Sequence, residues 1–168
     1  GSEKAAAEAM KFLRAESERL GTSLEVNVPS FAKLAASAKG STLEGEKVRD
    51  IFTAISEAGV VLRLSNDQLS GAFTAIGQVM SKGKVQAEEL RGQLGERLFG
   101  AFNLAAGAMG LTTAELDKML STGTLLADEF LPKFADEIRN SFGKDVPEAA
   151  ASAAAAFNRL DTAILELK

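Results

Sequence analysis

Apolar residues recur every three or four positions along most of this 168-residue chain. That spacing lays them on one face of an α-helix. The stripe is clearest at Leu90, Leu94, Leu98, Phe102, Ala105 and Met109, with Glu88, Glu89, Arg91, Glu96 and Arg97 mostly off it. Strand-like alternation is scarce. The best candidate, "GVVLRL" from Gly59 to Leu64, is flanked by helical pattern and reads as a helix end.

The helix starts share one grammar. A hydrophobic residue before the cap pairs with one at N4, and Glu or Gln at N3 completes a capping box. "LSNDQL" makes Ser65 a cap with Gln68 at N3, stapled by Leu64 and Leu69. "LTTAEL" does the same with Thr112, Glu115, Leu111 and Leu116. "VQAEEL" staples Val85 to Leu90, but its cap position holds Gln86, a poor cap. Asn27 is the expected cap of a helix with Pro29 in its first turn. Asp145 is the expected cap of the last helix. Gly21, Gly40, Gly83, Gly110, Gly123 and Gly143 stand where stops belong.

The pattern predicts an all-α fold of about eight helices, near 3–20, 28–39, 45–63, 66–82, 87–109, 113–121, 127–142 and 146–167. Within the fifth, Glu88 and Arg91 are spaced to pair, and four glycines each cost about 1 kcal/mol relative to alanine. Four such costs point to close approach of a neighbour or a local bend. The organisation expected is a leading helix at 3–20, a core domain at 21–143 and an Ala-rich helix at 144–168. Gly1-Ser2 reads as a remnant of tag removal and is set aside, which makes the chain a piece of a longer protein.

In the last helix Phe157, Leu160, Ile164 and Leu167 are spaced three, four, three, a heptad seam. Two readings stand: the end helices pack on their own domain, or the seam continues as a rod or joins copies into a homo-oligomer.

Composition narrows the chemistry. There are 19 basic and 23 acidic residues, and no basic stripe, so nucleic-acid binding is not expected. No apolar run is long enough to span a membrane. With no Cys and no His, the chain lacks disulfides, thiolate nucleophiles and the usual zinc ligands and general base. No cofactor or metal is expected, and no catalytic residue stands out.

"SKGKVQ", Ser81 to Gln86, is the nearest approach to a phosphate loop. It lacks the second glycine, the hydroxyl after Lys84 and a preceding strand, so a helix stop followed by a stapled start fits better. The acidic pairs Glu88-Glu89, Asp128-Glu129 and Asp136-Glu137 point about 100° apart on a helix and do not converge as metal ligands. "PEAAASAAAAF" is too weakly apolar to hold to lipid and reads as a packed helix.

From about Leu20 to Phe142 the chain resembles the tape-measure domain of tailed-phage tail proteins. The likeness is strongest in "SKGKVQAEELRGQLGERLFGAFNLAAGAMGLTTAELDKMLSTGTLLADEFLPKFADEI" and is supported by "FAKLAASAKGSTLEGEKVRDIF" and "LSNDQLSGAFTAIGQVMSKG". The resemblance implies a helical, non-enzymatic component of the virion tail. It implies a part in tail assembly and tail-length determination, with tail tube protein and tail assembly chaperones as partners. It implies the host cytoplasm as the place of assembly. It carries over no catalytic residue. Lys82, Lys84, Glu88, Arg91, Glu96 and Arg97 form the candidate partner-facing surface. Three positions depart from the pattern: Gln86 replaces Ser, Leu126 replaces a Thr cap, and Phe99 replaces Pro. The last change predicts a straighter fifth helix here.

The rival readings are a helical adaptor module outside phage tails, a carboxylate-based cell-wall hydrolase, and a nucleic-acid binder, the weakest of the three.

Overall fold

The computed structural model describes residues 2–168; Gly1, half of the pair set aside above, lies outside the described residues. The fold is all-α. Its helices are α1 (Ser2–Leu20), α2 (Leu24–Ala38), α3 (Glu46–Val61), α4 (Asn66–Lys82), α5 (Ala101–Met109), α6 (Thr113–Thr122), α7 (Ala127–Phe142), α8 (Val146–Ala150) and α9 (Ala153–Glu166). A π-helical segment, Glu88–Leu94, precedes α5, and a 3-10 turn, Gly143–Asp145, joins α7 to α8.

The main packing layers are α2 on α4, and α7 on both α3 and α5. Phe52, Phe130, Phe134, Leu34, Ile76 and Leu90 are fully buried between them, each side chain worth about 1.5–3 kcal/mol on leaving water. Phe12, Phe31, Phe52 and Phe73 run through this core ring to ring, with successive centroids 5.5, 5.4 and 4.7 Å apart. Phe12 and Leu13 thus tie α1 to the same core as the central helices.

Local signals explain most boundaries. Ser65 accepts from the Gln68 amide at 3.1 Å, and Gln68 accepts from the Ser65 amide at 2.9 Å. Thr112 and Glu115 do the same at 3.1 and 2.8 Å. The staple residues Leu69 and Leu116 are buried. Left-handed glycines stop α1, α4, α5 and α6 at Gly21, Gly83, Gly110 and Gly123. Gly143 is different: it keeps a right-handed conformation, and the chain turns on into the 3-10 segment.

Several expectations are corrected. α2 starts at Leu24, one turn earlier than the pattern predicts, after an extended Ser23. Asn27 is therefore not its cap. It is fully buried inside the helix, and its amide donates to Ser17 Oγ at 2.7 Å and Thr22 Oγ1 at 2.8 Å. This binds the α1–α2 turn to the helix below it, and places Pro29 in the second turn.

The fifth helix is neither continuous nor straighter. Residues 88–94 form a π-helix, in which Gly95 N–H donates to Leu90 O at 3.0 Å, and turns follow until Gly100. Gly100 stands at φ +78°, a left-handed conformation that costs other residues roughly 1–2 kcal/mol. A Cβ at Gly95 would lie 2.2 Å from the Arg91 carbonyl oxygen, so the wide turn requires glycine there. Phe99, which was expected to let the helix run on, lies in the break itself and is 84% exposed.

The last helix is also divided. α8 ends at Ala150 and α9 begins after Ser152, whose hydroxyl accepts from the Ala155 amide at 3.2 Å. Asp145 makes no side-chain cap; the preceding 3-10 turn occupies that position.

Candidate functional site

The charged stretch begins at the end of α4. Gly83 turns the chain in a left-handed conformation, and its N–H is spent on Val79 O and Met80 O at 3.0 and 3.2 Å. Val85 N–H donates to Leu125 O at 2.9 Å, and Ala127 N–H donates to Gly83 O at 3.0 Å. These bonds form an antiparallel bridge around Lys84 and Leu126. A phosphate loop needs free backbone donors; here the Gly83 and Val85 donors close a joint between two connections. The helix-stop reading of "SKGKVQ" stands.

The sequence-predicted charged face divides into three kinds of residue. Lys82 is half-exposed and its ammonium reaches Gln86 Oε1 at 2.8 Å and the carboxylate of Glu89. Glu89 is fully buried, a correction to its expected place on the outer face. Its Oε1 meets Lys82, while Oε2 has no hydrogen-bond partner among the described residues. It lies in the π-helical segment beside Leu90, which is also fully buried.

Arg91 pairs with Asp117 Oδ1 on α6 at 2.7 Å, and not with Glu88. Its guanidinium also lies over the Phe102 ring, 3.8 Å from the centroid. Arg97 donates through Nη1 to Gln93 O at 2.6 Å and lies across Gly71 of α4. Thus Lys82, Arg91 and Arg97 brace this segment against its own domain. Lys84, Glu88 and Glu96 are exposed, with no ion pair or side-chain hydrogen bond among the described residues.

Other polar groups do not gather into a reactive site. Among the described residues no three acidic side chains cluster as metal ligands. No described helix is long and apolar enough to cross a membrane. A cleft of about 420 Å³ lies where the α1–α2 turn, the end of α3 and α9 meet, lined by Thr22, Val60, Arg63, Asn66, Ala155 and Asn158. It contains no carboxylate. Arg19, nearby in α1, is raised above its ordinary pKa by its hydrogen bond to Glu16, and also by Glu57.

The heptad positions of α9 sit apart from all of this. Phe157, Leu160, Ile164 and Leu167 are 67, 56, 46 and 88% exposed. The opposite face of α9 holds the domain, through Asn158 to Gly21 O at 3.0 Å and Arg159 to Glu18 O at 2.8 Å.

Sequence reasoning missed Glu89, Gly71 and Asn27. No local signal marks them: Glu89 and Asn27 are read by polarity alone, and Gly71 is explained only by Arg97 across from it.

An all-helical domain whose charged segment serves mainly to fasten its own helices is, in class, a structural module. The chain belongs to the tape measure protein family: the family model for tape measure proteins matches residues 1–168. A probable tape measure protein of Salmonella phage Felix O1 (isolate Felix O1-VT1) is 35% identical over 131 residues. The match covers 78% of this chain and 18% of that protein, so the chain spans under a fifth of that relative's length. No solved structure matches the chain.

Proposed function

We propose that this chain is a non-enzymatic assembly domain of a phage tail tape measure protein, contributing to tail assembly and to tail length. Membership of the family over the whole chain carries this reading. The braced interior supports it, since the charges at Lys82, Glu89, Arg91 and Arg97 are used to hold the domain together. The free charges Lys84, Glu88 and Glu96 are the surface for tail partners, with tail tube protein and tail assembly chaperones as the expected ones. The proposed core domain, residues 21–143, takes α1 into its packing through Phe12 and Leu13. Its place of action is the virion tail, reached from the host cytoplasm during assembly.

The test is retention on tail components. The chain, added to lysates of infected cells, should co-purify with tail tube protein or tail chaperones. It should leave cell-wall substrate intact. Turnover of that substrate, abolished by changing one carboxylate, would contradict the non-enzymatic reading. Loss of co-purification when Lys84, Glu88 and Glu96 are all changed to Ala would locate the partner surface. Unchanged retention would place it elsewhere.

A further inference from the structure

α3 ends differently from the helices around it. Leu64 N–H donates to Gly59 O at 2.9 Å and Arg63 N–H donates to Val60 O at 3.2 Å, the paired bonds of a Schellman stop. That stop needs a left-handed residue, and glycine fills the place after α1, α4, α5 and α6. After α3 it is filled by Arg63 at φ +55°, the only non-glycine residue with positive φ among the described residues. A side chain in this conformation carries a steric cost, which a cation's favourable position at a helix C-terminus offsets only in part. Glycine would suit the fold better. Strain held at one position of an otherwise regular fold points to a use for the side chain.

The surroundings of Arg63 say what that use is. The residue is exposed, with no ion pair and no side-chain hydrogen bond among the described residues. It stands on the wall of the cleft of about 420 Å³ between the α1–α2 turn, the end of α3 and α9, a volume within the range of ligand sites. It is the single charged residue of that wall. The other polar groups there are neutral and have donors to spare. The Thr22 and Ser152 hydroxyls accept from the Asn27 amide at 2.8 Å and the Ala155 amide at 3.2 Å, and donate to nothing among the described residues. The Asn66 side-chain amide is likewise unpaired among them. Glu25 and Asp161 line a separate depression, which shares only Asn66 with this one.

One cation, several spare donors and no carboxylate make the cleft complementary to a carboxylate. Val60, Leu64 and Leu69 supply apolar wall beside them. A bare inorganic anion would leave that wall uncovered, whereas an acidic residue brings its own methylenes and its neighbours to it. We propose that this cleft binds an acidic residue of a partner polypeptide, its carboxylate held by Arg63 and its apolar neighbours resting on Val60 and Leu64. The site shares no residue with the charged surface at Lys84, Glu88 and Glu96, and it does not depend on the tail reading.

The probe is a blocked peptide, Ala-Leu-Glu-Leu-Ala, titrated into the isotope-labelled 168-residue chain and followed by amide chemical shifts. Saturable shifts centred on Arg63 and the cleft wall are expected, with a Kd on the order of 1 mM. The same peptide with glutamine in place of glutamate should bind at least ~10-fold more weakly. Arg63→Asn, which removes the charge but tolerates the left-handed conformation, should lose binding to the same degree. Arg63→Gly should lose it too, yet melt about 2–4 °C higher because the strain is gone. No shifts at the cleft, equal binding of the two peptides, or unchanged binding by Arg63→Asn would each overturn the proposal. Inorganic phosphate bound as tightly as the glutamate peptide would overturn the choice of a polypeptide and leave a simple anion site. A lower melting temperature for Arg63→Gly would show that Arg63 holds the fold, and would remove the ground for assigning it a ligand.

Discussion

Arg97 lies directly across Gly71: a Cβ built on Gly71 would stand 2.2 Å from Arg97 Nε. The missing side chain on α4 is the space the guanidinium occupies, which lets the segment after the π-turn lie down on α4. Gly71 in a helix interior otherwise costs about 1 kcal/mol relative to Ala. Gly71→Ala should therefore be near neutral in the native background, with the helix gain offset by displacing Arg97 from Gln93 O. In an Arg97→Ala background the same change should stabilise by about 1 kcal/mol, a coupling read by urea denaturation of the four proteins. Additive effects would mean that Arg97 does not use the notch.

Three glycines of the charged stretch separate the broken helix from a continuous one. Gly95→Ala must move the Arg91 carbonyl and should cost more than about 2 kcal/mol. Gly100→Ala, in open space but left-handed, should cost about 1 kcal/mol. Gly92→Ala, with open space and no positive φ, should cost nothing. Thermal unfolding would rank them. If all three stabilise, residues 87–109 form one helix and the break is wrong.

Much of the fold was legible because its signals are local. Ser65 and Thr112 reveal their helices within four residues, and the left-handed glycines close them at the next boundary. What escaped depends on distant neighbours. Asn27 reads as a cap until Ser17 and Thr22 claim its amide. Glu89 reads as solvated because nothing local says that its turn is a π-turn. Gly71 is silent without Arg97, which lies 26 residues on. The candidate surface was legible as a charged stretch, but pattern alone could not say that Lys82, Arg91 and Arg97 turn inward to structural tasks. The spacing of Phe157, Leu160, Ile164 and Leu167 was legible, but that these side chains face solvent needed the packed domain.

The pair of Lys82 and Glu89 should respond asymmetrically. Lys82 is half-exposed, whereas Glu89 is fully buried. Removing Lys82, as in Lys82→Met, leaves a buried carboxylate without its cation and should cost roughly 2–4 kcal/mol. Glu89→Met lets Lys82 turn to water and fills the same space with an apolar chain, so it should be neutral or stabilising. Chemical denaturation decides the order; a larger loss for Glu89→Met would show that the ion pair itself drives stability.

The two capping boxes should be independent. Ser65→Ala and Thr112→Ala should each cost about 1 kcal/mol. Their double variant should cost the sum within ~0.5 kcal/mol, because they start different helices. A large departure from additivity would mean that α4 and α6 are coupled more tightly than their packing indicates.

A tail domain proposed to add to tail length should change the tail when it is removed. The direct measurement is electron microscopy of tails after in-frame deletion of its coding segment in the phage that carries it. A domain of this size is about 40 Å across when compact, and about 250 Å long if drawn out as one helix. Shorter tails are expected, by roughly 40 Å if the domain keeps its compact fold in the tail. Tails of unchanged length and normal infectivity would contradict it.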